Sequence, residues 1–275
     1  MPKITSIKGR VLYNSRGSKT IEIDIISDEK FLGRVCAPSG ASVGKYEAVS
    51  FPDGKPELSL ELINKNSEKF LGSDPSDLKS IHDIIKTIDC SENYSKIGGA
   101  SAFAITIAAT ESAAKSTDTP LYKIIKQDND FRFPFPIGNI LGGGAHAGPG
   151  TPDIQEILVV PTGARTIREA IDMNLTVHKE LRNLIQKDDP EFTNGRGDEG
   201  GWAPKFDNEK AIEISARAIE NLGYTLGKEV SLGIDFASST QWNEQKQKYV
   251  YKKYKFAITL VFVYLQYLGV FGILK

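Results

Sequence analysis

Cysteine is nearly missing from this chain: Cys36 and Cys90 are the only two thiols in 275 residues. That excludes a disulfide scaffold and suits a reducing interior, with both thiols expected as small buried residues. Charge of either sign is missing in excess. The 34 basic and 35 acidic side chains leave a net charge of -1, so no global field draws in nucleic acid or an anionic membrane. An anionic ligand has to be met by a local site. The N-terminal stretch MPKITSIKGR lacks the apolar core of a secretory signal. Internal repeats and low-complexity tracts are absent too.

Long hydrophobic runs are missing until the last twenty residues. Phe256 to Leu274 carries no charge and reaches the lower bound for a membrane span, with KKYK before it as a cytoplasmic flank. A buried element, or a tail foreign to the fold, is the alternative. The foreign tail ranks first, a buried or aggregation-prone segment second and an anchor third. Its Phe, Tyr, Val and Ile content makes it an aggregation hazard if exposed.

The first third reads as strands and then helices. In KTIEIDI, Ile21, Ile23 and Ile25 alternate with Glu22 and Asp24, the pattern of a half-buried strand, and KITSIKGRVLY and FLGRVCAP suit its neighbours. Helical spacing follows in PELSLELINKNSEKFLG and DLKSIHDIIKTI, then in an alanine-rich segment, GGASAFAITIAATESAAKS, expected to be buried. Strands followed by helices describe an α+β domain. DFRFPFPIGNILGGG, rich in proline and glycine, marks a boundary near residue 135. Beyond it lie a strand (DIQEILVVP), a helix opened by a Thr166–Glu169 capping box, and a helix with Asp207 as N-cap and Gly223 past its end. EVSLGID then forms an apolar strand ending in Asp235. The alternation suggests a β/α layer or barrel.

Polar groups gather in the glycine-rich loops. Ser42 lies between Gly40 and Gly44, in a loop that either closes over an anion or a metal or is an ordinary surface turn. Three glycines precede His146, a way to bring backbone N–H groups and an imidazole to an anion, or a turn with an incidental histidine. His82 and His178 fall in helical patterns and read as structural or solvated. Gln155 and Glu156 adjoin on a strand and point to opposite faces, so either one faces the core and needs a partner, as a buried Glu near a cation would, or the two are a strand-end polar pair. In NGRGDEGGWAPKF, Asp198 and Glu199 sit among glycines that permit a sharp turn, and a carboxyl there with a raised pKa could be a general acid, or the loop a solvated cation site. Asp235, at the end of its strand, is placed where barrels display catalytic groups and could hold Mg²⁺.

Taken in order, SRGSKTIEID, GASVGKYEA, GGGAHAG, DIQEILVVPTGA, GDEGGWAP and GIDFASS resemble the enolase family over roughly residues 4 to 254, with an archaeal cast in HAGPGTPDIQE. The resemblance implies an α+β N-terminal domain (1–135) followed by the first part of an enolase-type (β/α)8 barrel, incomplete (136–255), with 256–275 an apolar tail that does not match. It implies a cytoplasmic lyase of glycolysis and gluconeogenesis, a phosphopyruvate hydratase that reversibly dehydrates 2-phosphoglycerate to phosphoenolpyruvate with Mg²⁺. Its partner would be that small phosphorylated substrate, with homo-oligomers usual in the family and neither nucleic acid nor membrane expected. By the match, Glu199 is the general acid, His146 and Glu156 lie at the substrate, Asp235 is a metal ligand and Ser42 ligates a second metal.

Three departures qualify this. Ser18 and Lys19 stand where asparagine and proline are usual, Thr240 stands where an acid is usual, and after Lys255 nothing resembles the family. Two further metal carboxylates, the base lysine, and an arginine–serine pair with a second lysine therefore have no matching position. Length agrees, since about 140 residues remain for a barrel that takes roughly 250. The chain is expected to be inactive alone, as a truncated or frame-shifted form. The alternatives are a non-catalytic enolase-like fragment or a membrane-anchored binding protein.

Overall fold

The computed structural model describes residues 1–40, 43–44, 46–126 and 130–251, and the backbone of 271–273. The expectations for Ser42, and for the apolar tail apart from those three residues, lie outside the described residues. Among the described residues no helix is long and apolar enough to cross a membrane. The chain divides into two compact units, the first made of Met1–Gly40 and Tyr46–Phe131, the second including Arg132–Lys275.

In the first unit β1 (Ile4–Tyr13), β2 (Lys19–Ser27) and β3 (Phe31–Cys36) form an antiparallel sheet in sequence order. The alternation in β2 is what builds it: Ile21, Ile23 and Ile25 are fully buried, while Glu22 and Asp24 face outward. On that outer face the register sets Arg10 opposite Glu22 and Arg34 opposite Asp24. Arg34 donates from Nε and Nη2 to the two oxygens of Asp24 at 2.7 and 2.8 Å, and this fork holds the Asp24 carboxyl below its usual range.

The inner face is covered by α3 (Gly99–Ser116), flanked by α1 (Pro56–Lys65), α2 (Leu78–Asp89) and the short α4 (Leu121–Ile125). The alanines of α3 let its backbone approach β3 so closely that a Cβ on Gly33 would lie 1.9 Å from the Ala108 carbonyl oxygen. The two thiols correct the expectation of burial, because both are exposed. Cys36 falls on the charged face of β3, where its Sγ donates to Glu22 Oε2 at 3.4 Å. Cys90 follows the last residue of α2 in left-handed conformation (φ 55°), turned away from the helix's buried stripe of Ile81, Ile85 and Ile88.

The second unit carries β4 (Gly138–Gly142), β5 (Glu156–Val160), α5 (Ile167–Asp188), α6 (Asn208–Asn221) and β6 (Ser231–Asp235), with a small hairpin of β7 (Trp242–Asn243) and β8 (Lys248–Tyr249). The sheet order is β4-β5-β6-β9, β9 being Phe271–Ile273. Among the described residues it is a four-stranded sheet and does not close into a barrel. Its first three strands are antiparallel and only β9 runs parallel, to β6. The connections give the reason: a loop with a single 3₁₀ turn joins β4 to β5, and two helices in series join β5 to β6, so each returns the chain in the opposite direction.

The helix starts follow the residues read from the sequence. Thr166 Oγ1 accepts from Glu169 N–H and Asp207 Oδ1 from Lys210 N–H. The reciprocal half of the first box is displaced by one residue, because Glu169 Oε2 accepts from Arg165 N–H instead of Thr166 N–H. Gly223 takes φ 80° just past the C-cap Leu222. Val177, Leu181 and Ile185 of α5 meet Ile157, Val159, Ile214 and Ile219 in one buried core.

Candidate active site

Antiparallel pairing brings the C-terminal ends of β4 and β6 and the N-terminal end of β5 to one edge of the sheet. In the register Glu156, the first residue of β5, stands opposite Gly142 and Asp235, the last residues of β4 and β6. Directly after β4 the chain makes a single 3₁₀ turn, Gly144–His146. The preceding glycine has a steric reason. A Cβ on Gly143 would lie 2.4 Å from the carbonyl oxygens of both Pro152 and Ile154, so only glycine lets this turn lie against the entry to β5. Gly143 N–H and Gly144 N–H then donate to Gln155 and Pro152 carbonyls. His146 ends up buried, 7% exposed. Gln155 is buried just before the strand, which begins at Glu156.

The GDEGG segment is a tight reversal with its two acids at the tip. Arg196 bridges Trp202, Gly197 N–H donates to the Gly201 carbonyl, and Gly200 N–H donates to the Gly197 carbonyl, with φ 86° at Gly200. The reversal is pinned to β4 because Trp202 N–H donates to Ile140 and Gly142 N–H donates to the Trp202 carbonyl. Asp198 N–H also donates to the His146 carbonyl at 3.2 Å.

The side chains converge on the imidazole. His146 Nδ1 lies 2.6 Å from Asp198 Oδ1, while its Nε2 lies 3.2 Å from Glu156 Oε1 and 3.6 Å from Glu199 Oε1. Asn139 Nδ2 donates to Glu199 Oε2 at 3.3 Å. Asp235, beside Glu156, accepts at Oδ1 from Ala237 N–H at 2.9 Å. Burial comes first in pushing the Glu156 carboxyl up to about 7; its hydrogen bond to Glu199 and the charges of Glu199 and Asp235 add to this, and His146 opposes it. A proton therefore stays on this carboxyl pair close to neutral pH. The ligand atoms of His146, Glu156 and Glu199 lie within 4.8 Å of one another, a group able to hold a metal ion.

Sequence reasoning missed the supports. Asp198 read as a neighbour of Glu199, and His178 as a histidine in a helical pattern. In the structure His178 stacks on Trp202 with ring centroids 4.6 Å apart, and its main-chain carbonyl accepts from Trp202 Nε1–H at 2.8 Å. Its Nε2 faces the Gly200 carbonyl at 3.1 Å, so that nitrogen carries the proton. Burial lowers its pKa and keeps it neutral. Arg196 lies over the same indole, 4.3 Å from the ring centroid. The available signal was the tryptophan immediately after GDEGG; nothing in the period of α5 separates His178 from its neighbours.

Two family models match in tandem: enolase, N-terminal domain, over residues 4–125, and enolase, C-terminal TIM barrel domain, over residues 130–257. The chain belongs to the enolase family. It is 43% identical over 251 residues to the enolase of Methanosphaera stadtmanae and 44% identical over 251 residues to that of Methanothermobacter thermautotrophicus, covering 91% of this chain in each case. It is 36% identical over 249 residues to the enolase of Pyrobaculum aerophilum. The chain spans about 60% of the length of these curated relatives. In enolase terms it carries the N-terminal domain and part of the barrel domain.

The raised Glu156 carboxyl has a consequence for stability. The folded chain binds this proton more tightly than the unfolded chain, so the contribution of this one group to stability is fully present below the unfolded value of 4.5 and is lost as pH rises through about 7. Glu156→Gln is expected to raise stability by about 1–3 kcal/mol at pH 8 and much less at pH 4.5. Urea denaturation at the two pH values checks this; equal effects at both would contradict it.

Proposed function

We propose that this edge of the sheet is the acid half of an enolase active site, which serves the reversible dehydration of 2-phosphoglycerate to phosphoenolpyruvate once the rest of the barrel is supplied. The observation that carries the reading is the cluster of His146, Glu156 and Glu199, with a proton retained on the carboxyl pair near neutral pH.

In this role Glu199, half-exposed at the tip of its loop, faces the substrate and delivers a proton to the departing hydroxyl. Glu156, hydrogen-bonded to Glu199, is the reservoir that restores that proton. Asp198 fixes the tautomer and orientation of His146, whose other nitrogen stays turned toward the reacting groups. Removal of the α-proton needs a base that these residues do not provide, in line with the absence of a match to the family's base lysine.

The chemistry of Asp235 suits Mg²⁺, which is held by one or two carboxylates together with oxygens of a phosphorylated ligand. Asp235 would hold that ion, with Ser42 as a candidate donor to a second, and bound Mg²⁺ would stabilise charge built up on the substrate carboxylate. The same reading makes the completed protein a glycolytic lyase of the cytoplasm that forms homo-oligomers.

Phosphoenolpyruvate formation tests this. Residues 1–257 are continued with the corresponding remainder of the Methanosphaera stadtmanae enolase, and the chimera is compared with the 275-residue chain alone. The chimera is expected to turn over 2-phosphoglycerate in the presence of Mg²⁺ and the chain alone to show none. A folded but inert chimera, or full turnover by the chain alone, would overturn the reading.

A further inference from the structure

The geometry points to a second kind of metal site: a single transition-metal ion of the zinc class, held by His146 Nε2, Glu156 and Glu199, and distinct from the Mg²⁺ position at Asp235.

Three observations carry it. The first is the spacing of the donors. Ligands about 2.0–2.1 Å from a tetrahedral ion are separated from one another by roughly 3.3 Å. His146 Nε2 lies 3.2 Å from Glu156 Oε1 and 3.6 Å from Glu199 Oε1, and all three donors fall within 4.8 Å. An ion can therefore enter with side-chain movements of a few tenths of an ångström, leaving the fourth position open to water.

The second observation is the arrangement behind the imidazole. Asp198 Oδ1 lies 2.6 Å from Nδ1, so Nδ1–H donates to the carboxylate and the lone pair of Nε2 is aimed at the two glutamates. A carboxylate–histidine pair of this kind orients a metal-binding imidazole and raises its basicity. The ring is 4% exposed and cannot swing into solvent without leaving Asp198. Asn139 holds Glu199 from its other oxygen in the same way.

The third observation is the donor set itself. One imidazole nitrogen with two carboxylate oxygens suits zinc, cobalt or nickel, whereas magnesium takes oxygen ligands and keeps its waters. Asp235, which pairs with Glu156 in the register, offers a carboxylate oxygen and is not one of the three grouped donors. The nitrogen donor is what favours a zinc-class ion over magnesium at the grouped side chains. Because Glu199 is a ligand at one and the proton donor in the proposed reaction, zinc there and acid catalysis exclude each other. The inference does not depend on that reaction, since metal binding is measured on the chain without turnover.

The test is titration of the untagged 275-residue chain with Zn²⁺ by calorimetry, and with Co²⁺ by visible absorption, in a Cys36→Ser, Cys90→Ser background that removes the exposed thiols as competing ligands. One ion per chain is expected to bind at micromolar concentration or below, with tetrahedral Co²⁺ bands, and millimolar Mg²⁺ should not displace it. His146→Gln and Glu199→Gln should each weaken binding by about 30-fold or more, Asp198→Asn by about 10-fold or more, and Asp235→Asn hardly at all. Glu199 is at an exposed loop tip, so its variant keeps the test meaningful if a substitution at the buried His146 fails to fold. Absence of stoichiometric binding, binding unchanged in Glu199→Gln, or loss of binding in Asp235→Asn would each overturn the assignment.

Discussion

Glu199→Gln is expected to lower kcat of the completed enolase chimera by about 10²–10⁴-fold, the usual contribution of a positioned general acid, while the dissociation constant for 2-phosphoglycerate changes little. The substitution conserves shape and removes only the transferable proton. Glu199 is 42% exposed at the tip of its loop, and the amide of Asn139 can still donate to a glutamine oxygen. The fold should therefore be unaffected, within about 0.5 kcal/mol. Steady-state kinetics with a separate measurement of substrate binding checks both halves. A parental kcat would remove Glu199 from the reaction. A fall confined to binding would make it a substrate ligand and not the acid.

Gly201→Ala should cost about 1–3 kcal/mol and abolish most of the chimera's activity, although it removes no functional group. The reason is space. A Cβ at this position would lie 2.4 Å from Asn139 Oδ1 and 2.9 Å from Gly142 N. Something must give. If the Asn139 amide swings away, Glu199 loses the donor that fixes it. If the loop lifts off β4, the bonds between Trp202 and Ile140 and between Gly142 and Trp202 are lost, and Asp198 and Glu199 leave His146 together. Gly195→Ala is the control, because a Cβ there meets nothing within 4 Å. Thermal unfolding followed by circular dichroism, with activity measured in parallel, should separate the two substitutions by several degrees and about 10²-fold in kcat. Equal behaviour of the two glycines would show that the loop is not clamped to the strand as described.

What could be read in the sequence was local. The alternation of Ile21, Ile23 and Ile25 gave the central strand of the first unit, and Thr166 and Asp207 marked helix starts because capping depends on a side chain and an N–H three residues away. The strand directions of the second unit were not legible. They depend on how many helices intervene between strands, and the alternation alone suggested a β/α layer or barrel without giving strand directions. The thiols were misread because hydrophobic character does not report which face of β3 Cys36 occupies, or that α2 ends one residue before Cys90.

The site divides in the same way. Glycine-rich loops singled out His146 and the Asp198–Glu199 pair, and a strand end singled out Asp235, because such residues have few roles in a packed core. The convergence of Glu156, Asp198 and Glu199 on one imidazole needed the antiparallel register that sets Glu156 opposite Gly142. The supports were hidden for a different reason. Trp202 and His178 look like ordinary core and helix residues, and together they tie the loop at Gly200 and Trp202 to α5, a contact between segments more than twenty residues apart in sequence.

The account's central claim is that this half of the site handles the departing hydroxyl, while the α-proton is removed elsewhere. Proton NMR of 2-phosphoglycerate in D₂O with the Glu199→Gln chimera and Mg²⁺ tests it most directly. The α-hydrogen is expected to continue to exchange for deuterium while phosphoenolpyruvate formation falls with kcat. Exchange and product formation lost in equal measure would contradict it.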